Sequence, residues 1–150
     1  MVGSKPEKGP ETAKKAFEYL PKYFCLKILD NLEHSELLEE VAKADIFIMP
    51  SLAEGGNPIS LMEGMAMQKP IIASDVGGIR DLIQHGENGL LIRPKDSELL
   101  AYQISLLHSD HPLAERLGEN ARKTVEGFTW DKTMELYSEI YQECINPDSV

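Results

Sequence analysis

Residues 44–82 read ADIFIMPSLAEGGNPISLMEGMAMQKPIIASDVGGIRDL, and the way this stretch alternates decides the fold. Ile46 to Met49 form a short, nearly continuous apolar run, the pattern of a strand covered on both faces. Pro50 and Ser51 end it. Glu54-Gly55-Gly56 supplies a sharp turn that lets backbone amides approach a ligand, because glycine carries no Cβ. Asn57 suits an N-cap and Pro58 the first helical position. Leu61, Met62, Met65 and Ala66 follow at three- and four-residue spacing, which marks one buried helix face. Lys69-Pro70 breaks that helix. Ile71 to Ser74 open a second strand, and Asp75-Val76-Gly77-Gly78 repeats the turn before a helix beginning near Ile79. The repetition predicts two helix N-termini side by side at the carboxyl edge of a parallel sheet. Unpaired amides and the helix dipole favour anions there, and open α/β sheets bind ligands at that edge.

On the amino-terminal side, Gly3 to Gly9 reads as a polar loop holding Lys5 and Lys8. A helix is expected over Thr12–Leu20 and a strand over Tyr23–Leu29 (YFCLKIL), followed by a turn at Asp30-Asn31. The next helix runs through Lys43, capped by His34 or Ser35, of which serine is chemically the better cap. On the carboxyl-terminal side, Glu87-Asn88-Gly89 is a structural turn signal and Leu90-Leu91-Ile92 a third strand. Asp96 or Ser97 caps a helix whose apolar positions are Leu99, Leu100, Tyr102, Ile104 and Leu107. His108 to Pro112 reads as a connection, and Leu113–Glu126 as an amphipathic helix interrupted by Gly118. Thr129 caps a last helix, Asp131–Cys144, with Trp130 as its packing anchor. Strand and helix alternating in this way predict an α/β fold, a Rossmann-like doubly wound parallel sheet with helices on both faces and right-handed crossovers.

With 150 residues, one domain with a real core is expected over 1–150. Asp and Glu outnumber Lys and Arg by 25 to 15, a net charge of −10. That balance argues against general affinity for nucleic acid or anionic membrane, which reward clustered cations. No apolar run reaches the length of a membrane span. Cys25 and Cys144 make no disulfide framework and read as buried or incidental thiols in a reducing, cytoplasmic setting. His108, Asp110 and His111 sit in a polar connector and read as surface. No paired-aspartate metal motif ends a strand, so metal-independent chemistry is the expectation. The abrupt opening on Met1-Val2-Gly3 fits a piece of a longer protein.

The run EGGNPISLMEGMAMQKPIIASDVGGIRDLIQHGENGLLIRPKDSELL resembles the C-terminal, donor-binding domain of family 4 retaining glycosyltransferases, which have the two-domain B-type fold. KADIFIMPS before it and ERLGENARKTVEGFTWDKT after it extend the likeness, as does the lysine-bearing GSKPEKGPETAKKAF. The resemblance implies that Glu54 reaches hydroxyls of a donor sugar and that Gly55, Gly56 and Asn57 present amides to sugar and diphosphate. It implies that Glu63 holds the ribose and that Lys8 neutralises the departing diphosphate, with Lys5 beside it. Gly77 and Gly78 would lie near the same ligand. The chemistry is sound from below: an ionised carboxylate offers only lone pairs to a pair of hydroxyls, and a diphosphate leaves readily only if cations and oriented amides meet its charge. Three departures stand out. Glu54 and Glu63 are separated by one residue more than is usual, so one residue must loop out among Gly55 to Asn57. The arginine that commonly precedes the lysine is replaced by the Ser4-Lys5 region. Between Leu29 and Glu36 the chain is too short for the strand and helix that the family normally places there.

The resulting expectation is the donor-binding domain of a retaining glycosyltransferase that moves a hexosyl group from a nucleotide-diphosphate sugar, such as a UDP- or GDP-hexose, to an acceptor hydroxyl on a sugar, lipid or polysaccharide. No further cofactor and no metal are expected. The acceptor domain would lie on a missing N-terminal half or a partner chain, leaving Leu136, Tyr137, Ile140 and Tyr141 of the last helix partly exposed or paired in a dimer. The full enzyme would be cytoplasmic or peripheral at a membrane. Two other readings compete: a non-catalytic nucleotide-binding module using the same cleft, and a flavodoxin-like receiver domain. The receiver needs an acidic cluster at the sheet edge, which Asp45 and Asp75 do not form convincingly.

Overall fold

The computed structural model describes residues 5–145; Gly3 and Ser4 of the expected first loop lie outside them. Three short strands, β1 (Phe47–Met49), β2 (Ile71–Ser74) and β3 (Leu90–Ile92), form a parallel sheet in the order β1-β2-β3. Phe47 pairs with Ile71, and Ile72 with Leu90. Strand side chains alternate between faces, so this register sorts the core into two layers. Phe47, Met49, Ile71 and Ala73 point to one face, against α3 (Ile59–Ala66), α4 (Ile79–Leu82) and Val125 of α6 (His111–Val125). Ile48, Ile72, Leu90 and Ile92 point to the other, against α1 (Pro10–Glu18) and α5 (Ser97–Ser109). The burial of every residue of β1 and β2 is therefore explained by helices on both sides, as a doubly wound sheet requires.

Several local expectations change. Of Tyr23–Leu29, residues 24–28 form no strand and only Leu29 takes part in a β-bridge; the segment lines a hollow of about 800 Å³ together with Ile46, Ile48, Pro70 and Leu107. Its side chains alternate in exposure as a strand's do, yet a single bridge does not make a strand. Cys25 and Cys144 are both free and exposed rather than buried. The helix α2 (His34–Lys43) is capped by Glu33, not by His34 or Ser35. Glu33 and Glu36 form a reciprocal capping box, which satisfies two backbone donors where serine would satisfy one. Pro58, not Asn57, stands at the N-cap of α3, and α1 begins at Pro10, two residues before the expected start. His108 to Pro112 is not a loop: only Asp110 separates α5 from α6, and its side chain accepts from Leu113 N at 3.0 Å.

Gly118 does not interrupt α6. A Cβ there would sit 2.2 Å from the carbonyl oxygen of Gln68, so the glycine lets the helix lie directly on the chain linking α3 to β2. Tyr102 is exposed, while its neighbour Gln103 is buried and gives its amide to Leu91 O at 3.3 Å. Leu91 N in turn donates to His85 Nδ1 at 2.9 Å. The outward edge of β3 is thereby closed by side chains, which discourages pairing with another strand. Asn88 is structural as expected: buried, it accepts from Gln84 N and donates to Leu82 O and Thr124 Oγ1. Trp130 anchors nothing, being 83% exposed at the start of α7 (Trp130–Ile145). Leu136, Tyr137, Ile140 and Tyr141 are exposed along the same helix.

Glu40 joins the 21–29 segment to α2 by accepting from Lys27 and from Lys43. These hydrogen bonds, Lys27's foremost, hold its carboxyl below the ordinary glutamate range. A lowered folded-state value contributes stability above the unfolded group's titration and loses it as pH falls through the folded one. Melting midpoints of wild type and Glu40→Gln should therefore differ slightly at neutral pH and converge as acid protonates Glu40 in both the folded and the unfolded chain. A gap of the same size at both ends would show that the carboxylate's charge is immaterial.

Candidate functional site

The site is built where the chain leaves β1. Gly9 lies at φ +68°, and a Cβ on it would come within 1.9 Å of the carbonyl oxygen of Pro50. Only glycine allows both the left-handed backbone and that approach. Leu52 N donates to Glu7 O at 2.7 Å, a second tie between the same two segments. Together they hold the short 3-10 turn Pro6–Lys8 against the end of β1 and bring Lys8 over the loop. Lys8 Nζ donates to Glu54 Oε1 at 2.7 Å. Ser51 Oγ, on a wholly buried residue, donates to the same oxygen at 2.7 Å. The Glu54 side chain is 9% exposed and that of Lys8 29%. A carboxylate so nearly buried needs such partners, because burying an unpaired charge costs far more than the pair returns.

The second glycine pair forms the wall behind this loop. A Cβ on Gly77, at φ +43°, would fall 1.7 Å from Glu54 O, and one on Gly78 would fall 2.3 Å from Gly56 C and O. Two turns far apart in sequence thus touch backbone to backbone. Gly55 and Gly56 meet nothing within 4 Å on their other side, so with Asn57 they form the exposed lip of the site. Lys5 is exposed at the start of the 3-10 turn, its carbonyl accepting from Lys8 N. Glu63 lies one helical turn further along α3, 18% exposed, with His34 Nδ1 3.5 Å from its Oε1. The anion-favouring helix start is that of α3; α4 is a single turn of four residues.

The structure therefore joins Glu54, Lys8, Gly77 and Gly78 in one cluster, continuous through Gly55–Asn57 with the helix that carries Glu63. Neither Glu54 nor Glu63 lines the 800 Å³ hollow beside Tyr23–Leu29, whose lining includes Asp45 and Pro70 at the amino ends of β1 and β2. Ser51 and His34 were not predicted as site residues. Ser51 reads in sequence as a strand terminator and His34 as a cap, and only folding shows them facing the two carboxylates. Among the described residues, no group of three or more His, Cys, Asp or Glu is placed to hold a metal ion, and no helix is long and apolar enough to cross a membrane.

A family-wide sequence profile described as glycosyl transferases group 1 matches residues 25–124. The chain belongs to this family. Among curated relatives, a putative glycosyltransferase, EpsD, of Bacillus subtilis (strain 168) is 36% identical over 115 residues, covering 77% of this chain and 30% of its own. D-inositol 3-phosphate glycosyltransferase of Corynebacterium glutamicum (strain R) is 31% identical over 147 residues, covering 98% of this chain and 35% of its own. The chain thus spans about a third of the length of the curated relatives it matches. Among solved structures, HepE of Anabaena in complex with UDP superimposes with a TM-score of 0.84 at 20% identity, over 95% of this chain and 48% of that one. The C-terminal domain of a group 1 protein of Francisella tularensis superimposes with a TM-score of 0.71 at 20% identity, over 84% of this chain and 82% of that one. The fold shared with these glycosyltransferases is Rossmann-like, in agreement with the resemblance read from the motifs.

Proposed function

We propose that this chain is the donor-binding domain of a retaining glycosyltransferase, which moves a hexosyl group from a nucleotide-diphosphate sugar to an acceptor hydroxyl. The observation that supports it most is the Lys8–Glu54–Ser51 cluster at the carboxyl end of β1, beside the open amide lip of Gly55, Gly56 and Asn57. A nearly buried carboxylate and a cation held 2.7 Å apart suit a ligand that carries hydroxyls at one end and diphosphate at the other. Glu54 accepts from the sugar. Lys8 has three N–H donors and spends one on Glu54, leaving two for diphosphate oxygens. The amides at the lip and the start of α3 meet the remaining negative charge. Glu63 takes the ribose hydroxyls, Lys5 adds a second cation at the rim, and Gly77 and Gly78 shape the floor.

In transfer, the bond from the anomeric carbon to the diphosphate oxygen breaks, a bond to the acceptor oxygen forms on the same face, and the acceptor's hydroxyl proton passes to the departing diphosphate. Charge developing on the diphosphate is met by Lys8 and the amides, the kind of stabilisation that lowers such barriers most. No metal and no further cofactor enter this reading. The acceptor, whether sugar, lipid or polysaccharide, is bound by a second domain in the remainder of a longer protein or in a partner chain. The whole enzyme works in the cytoplasm or peripherally at a membrane. The UDP in the HepE structure is the reason to begin with uridine donors.

Melting the 150-residue chain with a panel of UDP-, GDP- and ADP-sugars tests the reading. A ligand at 100 times its dissociation constant adds about 2.7 kcal/mol, which corresponds to a rise of about 5–10 °C for a domain of this size. One base class is expected to raise the midpoint, with no hexosyl transfer by the chain alone. A panel that leaves the midpoint unmoved throughout would overturn donor binding. Robust turnover would instead overturn the need for a second domain.

A further inference from the structure

We propose that Ser51 is a positioning residue which fixes the oxygen of Glu54 that meets the donor sugar, so that the sugar-dependent part of donor affinity passes through a hydroxyl that never touches the ligand. The inference rests on the reading of Glu54 as the sugar contact. Three constraints act on that glutamate. Its backbone is wedged, since its carbonyl oxygen lies where a Cβ of Gly77 would fall, at 1.7 Å. Its Oε1 receives both Lys8 Nζ and Ser51 Oγ, each at 2.7 Å. Among the described residues, Oε2 receives no hydrogen bond. The carboxylate therefore presents one saturated oxygen and one open one.

Of the two donors, Ser51 is the fixed one. It is wholly buried two residues after β1, whereas the Lys8 side chain is 29% exposed on a flexible stem. A diphosphate draws on the lysine, and its ammonium moves to share itself. The serine hydroxyl has no such competing demand, so it keeps Oε1 turned inward and Oε2 outward while Lys8 redistributes. Without it, the carboxyl rotates about its terminal torsion, which is broad and roughly two-fold. The sugar would then meet a mixture of orientations. A sugar hydroxyl bound to a charged acceptor is worth tenfold or more in affinity, so losing the fixed orientation removes about tenfold.

The test is calorimetric titration of the 150-residue chain with UDP, UDP-glucose, UDP-galactose, UDP-N-acetylglucosamine, GDP, GDP-mannose, ADP and ADP-glucose. The quantity read is the affinity of the best sugar nucleotide divided by that of its own bare diphosphate. In Ser51→Ala this ratio should fall about tenfold towards one, with the bare diphosphate binding as in wild type. Ser51→Cys conserves the volume and offers only a weak donor, so it should show the same loss if the alanine variant melts too low to titrate. Ser51→Thr restores the hydroxyl and should restore the ratio. A wild-type chain that binds no member of the panel overturns the donor-site reading and this proposal with it. A wild type that binds diphosphates without preferring any sugar form overturns this proposal alone. So does a Ser51→Ala chain that keeps the ratio, or one that loses sugar nucleotide and bare diphosphate affinity equally.

Discussion

Gly77→Ala is expected to destabilise the domain by about 3 kcal/mol and to lower its melting midpoint by about 10 °C. Two costs combine in that figure. The backbone at φ +43° lies in the left-handed region, which any side chain pays about 1–2 kcal/mol to enter. The added methyl would also meet Glu54 O at 1.7 Å, and the neighbour is backbone, which cannot rotate away. Two companion variants separate the costs. Gly86 lies at φ +80° with nothing within 4 Å of a Cβ, so Gly86→Ala carries the conformational cost alone. Gly55 has neither burden, and Gly55→Ala should stay within about 0.5 kcal/mol of wild type. Circular dichroism melts of the three order them. If Gly77→Ala is no worse than Gly86→Ala, the two turns are not pressed together and Glu54 is not held from behind.

Lys8→Met is expected to weaken UDP binding about 30-fold while leaving uridine binding unchanged, since a hydrogen bond to a charged group is worth about 1.5–3 kcal/mol. Methionine keeps the length and removes the charge, so the loss falls on the diphosphate. The same change strands the Glu54 carboxylate with Ser51 as its only donor among the described residues, and stability should fall by about 1–3 kcal/mol. Adding Glu54→Gln removes the stranded charge, so the double variant should recover stability but not UDP affinity. Titration of both nucleotides against both variants checks this. Parallel losses of UDP and uridine would mean that Lys8 holds the loop and does not face the diphosphate.

Residues 44–82 were the legible part of the fold. Their strand, turn, helix order follows from apolar runs and glycine punctuation, signals that act within a few residues of each other. The third strand, the Asp96 cap and the Asn88 turn were legible for the same reason. Boundaries decided by competition were not. Ser35 is the better isolated cap, but the paired Glu33 and Glu36 satisfy two donors at once, and pairing wins. Tyr23–Leu29 carries a strand's alternation, yet only Leu29 takes part in a β-bridge. Gly118 looks like a helix breaker until the carbonyl of Gln68 is seen against it. In the site, Glu54 and Lys8 came from motif likeness, and their direct contact is a tertiary fact that no spacing encodes. Ser51 shows the limit most clearly. A serine ending a strand is unremarkable in sequence, and its role depends on a carboxylate folding back onto it.

The chain contains one tryptophan, Trp130, at the start of α7 and 83% exposed. Its indole is already in water in the folded protein, so its emission reports on the surface of the last helix and is nearly blind to the sheet and its two apolar layers. Fluorescence would register little when the core melts, and a flat trace would be mistaken for an unusually resistant protein. Backbone spectroscopy is therefore the proper optical window on this domain's unfolding.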